Sequence, residues 1–588
     1  MVRRGLGAGF ADAVWGGVGK PSLTGGERIS VSGKGWTVML FTIPLVCGFL
    51  AVLVRLVWLM LVFGPVYREL SNENRIKVVP LPARRGVIYD RNGEIIAANR
   101  PVYRVKRETG GGEAVYETIS RKDALLRIAD FKDADLIEDV GRDYRYGVVM
   151  AHILGYLGQA TREEVEKNDF KGLDLLGRSG VEELYDSGLR GRDGARLLEV
   201  DTGGEVLREI GREEPVAGRD LRLTVDVKLS EKTYEALGGL RAAVVVGNPE
   251  TGEILVMVSS PSFDPGVFSG GSGEEVRAVL DGKDRPLFNR AISGQYPPGS
   301  TYKIVSAMAG LENSVISADF KYEDKGFVVL GNQTFNNWLY TQHGRTEGVI
   351  NVVGALTRST DTFFYKLGEL VGVEKLAGMS RKFGLGDITG VDLPGEATGL
   401  VPDPKWKLKV KGERWFLGDS LIMAIGQGNL LVTPLQVNQM GAVVASGGLF
   451  CRPRVVEGEN NCHNLGFKKE NVDLVKQGMY AACAKGGTAY PLFDFPKSGP
   501  EQIAVACKTG TAEYGDPKGR THAWLTAFVE GKVAREYGRE PVVVTVLVES
   551  GGEGSGVAAP IVRKILASYF DVEDKYNYSL GGEEGVGE

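Results

Sequence analysis

Ser300 and Lys303 stand three apart in YPPGSTYKIVSAMAG, directly after a Pro-Pro-Gly turn and at the head of an apolar, helix-compatible run. Positions i and i+3 share one helix face, so the hydroxyl and the ammonium group can touch. The turn puts Ser300 near the helix start, where unpaired N–H groups and the helix dipole favour developing negative charge. A lysine deprived of solvent beside other cations can lose its proton near neutral pH and serve as the base that a serine nucleophile needs. Alone, the pair reads more readily as a capped helix with a surface lysine. Two further patterns add to it. Ser359-Thr360-Asp361 opens RSTDTFFYKLGELVG, whose Phe363, Phe364 and Leu367 predict a buried helix with a hydroxyl and a carboxylate at its mouth. Lys508-Thr509-Gly510-Thr511 follows EQIAVA, which reads as a strand, with glycine where a substrate backbone could approach closely.

Elements from distant parts of the chain must position these groups. Ala242 to Ser260 is two apolar runs around Asn248-Pro249-Glu250-Thr251-Gly252, a hairpin apolar enough to be buried on both faces. HAWLTAFVE and PVVVTVLVES repeat that pattern near the C-terminus, and APIVRKILASYF closes with an amphipathic helix. Strands at both ends with helical patterns between them predict one sheet with helices packed against it. Upstream, Asp90-Arg91-Asn92-Gly93 lies between two short strands as a hairpin, and ARLLEVDTGGEVLREIG is a second strand-turn-strand pair. TREEVEKND and SGVEELYDSGLRG read as helices. No cluster of nucleophile and base is visible between 65 and 222, so its expected work is that of a spacer or docking module.

With 588 residues, two or three domains are expected. A net charge of −5 without basic blocks argues against a nucleic-acid partner. The 82 glycines are about twice ordinary usage but have no G-x-y period, which fits a loop-rich protein. Gly35 to Val54 carries no charge, and the apolar run resumes after Arg55, long enough to cross a bilayer. It lacks the short apolar core and small-residue end of a cleavable signal, so it reads as an uncleaved anchor. Arg3, Arg4, Lys20, Arg28 and Lys34 precede it against only Asp12 and Glu27, which keeps the N-terminus in the cytoplasm and everything after Phe63 outside. The expected division is a cytoplasmic tail (1–34), a transmembrane anchor (35–64), a pedestal (65–222), a catalytic domain (223–570) and a disordered acidic tail (571–588). Cys47 lies in the span; Cys451, Cys462, Cys483 and Cys507 allow three pairings, of which Cys451 with Cys462 is closest in sequence. The four histidines are scattered, and no metal or other cofactor is expected.

S-x-x-K, S-x-[DN] and K-T-G occur here in that order and in those contexts, a triplet shared by penicillin-binding proteins and class A β-lactamases. The chain resembles a class B penicillin-binding protein, a membrane-anchored D,D-transpeptidase of peptidoglycan synthesis. NRAISGQYPPGSTYKI, SSPSFDPGVF, AIGQGNLLVTPLQV and CKTGTAEY resemble its catalytic segments; RRGVIYDRNGEIIAAN, HILGYLG and GRSGVEELYDSGLRGRDG resemble its pedestal. Asp361 and the pedestal resemble the elongation branch, the penicillin-binding protein 2 type, more than the division branch. The resemblance implies a serine β-lactamase-like α+β domain with a central antiparallel sheet flanked by helices. It implies that Ser300 attacks the carbonyl of the penultimate D-alanine of a stem peptide, that neutral Lys303 takes its proton, and that Ser359 relays a proton to the departing amine. Lys508 would be a second positive charge that keeps Lys303 deprotonated and attracts the substrate carboxylate, with the hydroxyls of Thr509 and Thr511. Asp361 would pin Lys303 while also raising its pKa, two opposed effects. The backbone N–H groups of Ser300 and Thr511 would form the oxyanion hole, and a side chain at Gly510 would crowd the incoming peptide. Implied partners are peptidoglycan stem peptides on the lipid-linked polymer and a membrane glycosyltransferase of the shape, elongation, division and sporulation class; β-lactams would block the site. The alternatives are a β-lactam-binding receptor or scaffold without turnover, and a carboxypeptidase or β-lactamase. Cys507, free-standing beside the lysine motif, and the short tract ETGGGEAVYETISRKDALLRIADFKD depart from the family pattern.

Overall fold

A computed structural model describes residues 35–65, 75–108, 114–119, 121–127, 136–167, 174–201, 206–496 and 503–574. The expected tail 1–34 and all but the first residues of the acidic tail lie outside them. Two compact units emerge, residues 1–79 with 196–211 and residues 80–195 with 212–588.

In the first unit, helix α1 (Gly35–Trp58) continues through a wider turn, Leu59–Phe63. Its apolar stretch Met39–Phe63 runs 25 residues with a mean hydropathy of 2.6 and none of it buried. At 1.5 Å per residue that is about 37 Å, enough to cross the ~30 Å hydrocarbon layer. The Arg55 guanidinium lies 4.7 Å from the Trp58 ring, near the end where a charge can reach an interface. Ile76–Leu81, Gly194–Val200 and Val206–Glu213 form a three-stranded sheet with Gly194–Val200 in the middle, the second strand-turn-strand pair of the sequence.

In the second unit, the predicted hairpin forms around residues 90–93. Asp90 is buried because it holds this turn: Oδ1 accepts the N–H groups of Asn92 and Glu94, both at 2.8 Å. Its Oδ2 accepts Val227 N at 3.3 Å, which fastens the turn to the head of α2 (Val227–Leu237). SGVEELYDSGLRG is more than a helix and a turn. Its buried Glu182 accepts from Arg85 Nε at 2.6 Å and Arg142 Nε at 2.7 Å, and Asp186 lies 2.9 Å from Arg85 Nη1, an ion cluster of two arginines and two carboxylates inside this part of the molecule.

After α2 follow strands β1 (Ala242–Gly247) and β2 (Ile254–Ser260), helices α3 (Lys303–Glu312), α4 (Val352–Arg358), α5 (Asp361–Lys382), α6 (Pro434–Ala445) and α7 (Lys469–Ala482), strands β3 (Ala506–Glu513), β4 (Thr521–Val529) and β5 (Val542–Val548), and helix α8 (Ala559–Phe570). The strands form one antiparallel sheet in the order β2-β1-β5-β4-β3. Every residue of β1, β2 and β5 is buried, because helices cover both faces. On one face Leu237, Ile561 and Ile565 of α2 and α8 pack on Val244, Val258 and Val546. On the other, Ile304, Met308, Met440 and Met479 from α3, α6 and α7 pack with Trp524, Phe528 and Val543. Asn438 of α6 pins that layer, donating through Nδ2 to the carbonyls of Val245 (3.0 Å) and Val543 (3.1 Å).

Two expectations are corrected. The lysine motif does not follow a strand ending at Ala506; it is itself strand β3, at the edge of the sheet. Cys507 is not free-standing: it is bonded to Cys483, tying β3 to the C-terminal end of α7, while Cys451 pairs with Cys462 as its proximity suggested.

Candidate active site

The catalytic turn is tighter than a first α-turn. Gly299–Tyr302 is one turn of 3-10 helix, and the α-helix proper begins at Lys303, so the half-buried Ser300 sits in the narrow lead-in. Close backbone approaches fix this turn. Gly299 has φ +54°, and a Cβ there would come within 2.7 Å of the Thr511 carbonyl oxygen. Its N–H donates to Gly426 O at 2.9 Å, and a Cβ on Gly426 would lie 2.1 Å from the Gly299 oxygen. Trp524 on β4 donates its indole N–H to Pro297 O at 3.0 Å, and Thr301 Oγ1 donates to Pro298 O at 2.8 Å. The chain around Ser300 is thus clamped between β3 and the loop at Gly426, and AIGQGNLLVTPLQV supplies that clamp.

Lys303 is completely inaccessible, and three oxygens lie within hydrogen-bonding distance of its amine. Nζ donates to the Ser359 carbonyl (2.7 Å), Ser359 Oγ (3.2 Å) and Asp361 Oδ1 (2.6 Å). Ser359 can serve twice because it caps α4 in the left-handed conformation, φ +56°, which turns its carbonyl and its hydroxyl toward the same amine. A non-glycine residue held there is strained, and such strain collects at functional sites. Asp361, the first residue of α5, takes the Trp338 N–H on its other oxygen at 3.1 Å. The two opposed effects on Lys303 now resolve: burial lowers its pKa, the Asp361 charge and hydrogen bond raise it, and burial wins.

Lys508 reaches the same centre from β3, where it pairs with Thr526 of β4. It is fully buried, donates to the Thr509 carbonyl at 3.1 Å, and is near enough to Lys303 and Asp361 for their charges to act on it. Burial first, and then the Lys303 charge, push its pKa well below that of a free lysine, with Asp361 opposing. Asp361 is hydrogen-bonded to Lys303, so Lys508 has the weaker countercharge of the two lysines. Thr509 is buried and shares a hydrogen bond with Thr488 at 2.8 Å, whereas Thr511 is exposed at the strand edge. Gly510 has a reason within the fold itself. A Cβ there would lie 3.0 Å from Thr301 Cγ2 and from Trp524 Cβ and 3.1 Å from Pro298 O, so the first thing it would crowd is the catalytic turn.

The fold therefore brings Ser300, Lys303, Ser359, Asp361, Lys508, Thr509, Gly510 and Thr511 to one edge of the sheet. Sequence reasoning missed Trp338, Asn337 and Thr488, which carry no motif spacing; of the three only Asn337 is buried, and Trp338 acts through its backbone N–H, so the residue types gave no signal.

Two family models cover this chain: the penicillin binding protein transpeptidase domain over residues 242–567 and the penicillin-binding protein dimerisation domain over residues 113–223. The chain belongs to the penicillin-binding proteins that carry a transpeptidase domain after a dimerisation domain. Its similarity runs to the penicillin-binding protein 2 branch. The peptidoglycan D,D-transpeptidase MrdA of Escherichia coli K12 is 32% identical over 583 residues, covering 85% of this chain and 88% of that one. Penicillin-binding protein 2 of Helicobacter pylori, solved in complex with MreC, superimposes with a TM-score of 0.74 at 28% identity, covering 84% of this chain and 99% of its own. A structure of a peptidoglycan synthase complex that coordinates polymerization and crosslinking gives a TM-score of 0.72 at 29% identity over 93% of this chain and 100% of that one.

Proposed function

We propose that this chain cross-links peptidoglycan stem peptides through an acyl-serine intermediate during cell-wall elongation. The observation that carries the reading is the Lys303 amine, buried, with its pKa lowered, and directed by Ser359 and Asp361 three residues from Ser300. Ser300 Oγ attacks the carbonyl carbon of the penultimate D-alanine while Lys303 Nζ takes the hydroxyl proton. The oxyanion accepts from the N–H groups of Ser300 and Thr511, each such donor lowering the barrier by on the order of 3 kcal/mol. The intermediate collapses when the C–N bond breaks. Ser359 Oγ passes the proton from Lys303 to the departing D-alanine amine, and the amine of a second stem peptide attacks the ester to form the cross-link.

Recognition of the terminal carboxylate couples to this chemistry. An anion arriving beside Lys508, Thr509 and Thr511 supplies the countercharge that Lys508 lacks and favours its charged form. A cation at Lys508 disfavours a proton on Lys303, readying the base when substrate is bound.

The pedestal at 65–222, the catalytic domain at 223–570, the cytoplasmic N-terminus and the extracytoplasmic site belong to the same reading. So does docking to a membrane glycosyltransferase of the shape, elongation, division and sporulation class, supported by the synthase complex among the relatives and by the apolar α1. The test is a fluorescent penicillin with full-length protein in detergent. Stable labelling, lost in Ser300→Ala, and cross-linking of nascent glycan strands supplied by such a glycosyltransferase are expected. Rapid release of the label would make the chain a lactamase, and labelling without any cross-linked product would make it a receptor.

A further inference from the structure

We infer that Asp324, outside all three motifs, is a positioning residue that fixes the orientation of the Asp361 carboxylate and through it the Lys303 amine; this rests on the acyl-transfer reading of the site. Asp324 ends the short strand Tyr322–Asp324, which pairs with Gly348–Ile350, and only 2% of it is exposed. Its two oxygens accept four hydrogen bonds. Oδ1 takes Gly326 N (2.8 Å) and Thr362 Oγ1 (2.7 Å); Oδ2 takes Asn337 Nδ2 (3.1 Å) and Glu347 N (2.9 Å).

Two of those four donors lead to the reacting centre. Thr362 is the residue after Asp361. Asn337 turns its amide so that Nδ2 faces Asp324 while Oδ1 accepts the Asp361 N–H at 3.0 Å, and the backbone N–H of the next residue, Trp338, reaches Asp361 Oδ2 at 3.1 Å. Asp361 is left with one direction for Oδ1, along which Lys303 lies at 2.6 Å. The path from Asp324 to the amine is therefore three hydrogen bonds long, and no atom of Asp324 or Asn337 needs to touch substrate.

The chemistry of the four donors requires a carboxylate. An ionised carboxyl group is acceptor only, whereas a carboxamide brings two N–H donors. Asn at 324 would set its amide N–H groups against the Gly326 N–H in one orientation, or against the Asn337 and Glu347 N–H groups in the other, with almost no change in volume. Among the described residues Asp324 makes no ion pair, so its charge rests on dipoles alone. A buried carboxylate without a cation is an expensive way to fill a core position. Its return is that it dictates which way Asn337 and Thr362 point.

The test is rapid-mixing acylation of the full-length protein by a fluorescent penicillin, which separates non-covalent affinity from the acylation step. Wild-type acylation at Ser300 establishes the underlying reading, and its absence would defeat that reading rather than this one. In Asp324→Asn the acylation step is expected to slow by about tenfold to a hundredfold with affinity within about threefold, as misorientation of a catalytic group without loss of binding predicts. The effect should vanish on an Asp361→Asn background, because Asp324 acts only through that carboxylate. The reversed pair Asp324→Asn with Asn337→Asp should recover part of the rate. Should Asp324→Asn not fold, Thr362→Val removes a single donor and is expected to slow acylation by a few-fold, again only when Asp361 is present. Equal losses in affinity and rate, a loss that multiplies with that of Asp361→Asn, or an unchanged acylation step in a folded variant would each overturn the inference.

Discussion

Gly510→Ala tests whether the edge strand and the catalytic turn are held at a set distance. The new methyl carbon would stand 3.0 Å from Thr301 Cγ2 and Trp524 Cβ and 3.1 Å from Pro298 O. Carbon atoms pack at about 3.5–4.0 Å, so β3 must withdraw from the turn by roughly half an ångström. Neither neighbour yields easily. Trp524 is fully buried with its indole N–H bonded to Pro297 O, and on the other side Gly554 comes so close that a Cβ on it would meet Gly510 O at 2.6 Å. Overpacking of this kind removes about 1–3 kcal/mol of stability. Withdrawal also separates the Ser300 and Thr511 N–H groups. If losing one oxyanion donor is worth on the order of 3 kcal/mol, a partial misplacement raises the acylation barrier by about 1–2 kcal/mol, or roughly five- to thirtyfold in rate. The assay is the acylation step with a fluorescent penicillin, run beside a thermal melt. Adding Thr301→Ser deletes Cγ2 while keeping the Oγ1 bond to Pro298 O, and should return part of the rate. Acylation within twofold of wild type in a folded Gly510→Ala protein would refute the argument, as would a slow variant that Thr301→Ser leaves no faster.

Lys508→Met should raise the melting temperature at pH 7 by about 2–4 °C. Its pKa is depressed in the fold, so the unfolded state holds the extra proton and the lysine weakens the fold below its ordinary pKa. The same variant should lose most acylation by a carboxylate-bearing penicillin and little of the residual acylation by its methyl ester, read from parallel rate measurements. Burial holds His152 at about 4, with Nε2 bonded to Pro286 O at 2.8 Å. Between about pH 6.5 and pH 4 the unfolded state binds this proton and the folded state does not, so stability falls as pH falls through that window, by on the order of 3 kcal/mol in full. Urea titrations of His152→Phe should show a shallower slope, with His522, which burial also lowers to about 4, contributing in the same direction. Removing the Cys483–Cys507 bond by paired alanines opens a loop of 24 residues and should reduce stability by about 3 kcal/mol, seen as a lower guanidinium midpoint.

What the sequence made legible is what short-range chemistry records. Ser300 and Lys303 lie within one turn, the strands β1, β2 and β5 are apolar at nearly every position, and the span after Gly35 has no charge until Arg55. The three motifs could be ordered but not measured against one another, because their meeting depends on a sheet whose edge strand β3 lies more than 200 residues from Ser300. The strand boundary at Ala506 was misplaced for a physical reason: EQIAVA is as apolar as a strand, while Lys508, Thr509 and Gly510 look like the end of one. The Cys483–Cys507 bond and the Asn337 bridge were unreadable since neither residue type nor spacing announces them. SGVEELYDSGLRG was read only as a helical stretch, and the burial of Glu182 was not legible because an acidic residue in a helical run is more often exposed.

Two buried lysines share one nearby carboxylate in this centre, and that imbalance connects its stability to its function. Lys303 has Asp361, and Lys508 has only the Thr509 carbonyl within hydrogen-bonding distance among the described residues. A protein selected for stability alone would fill the Lys508 position with an apolar residue, because a desolvated amine without a counterion weakens the fold. In the proposed function, a ligand that brings a carboxylate supplies the missing countercharge, so part of its binding energy goes into stabilising the charged form of Lys508 rather than into affinity. Binding energy used in that way lowers the barrier instead of the dissociation constant. The left-handed Ser359 fits the same logic: its strain aims two oxygens at Lys303, and an amine so held has little freedom left to lose when Ser300 gives up its proton.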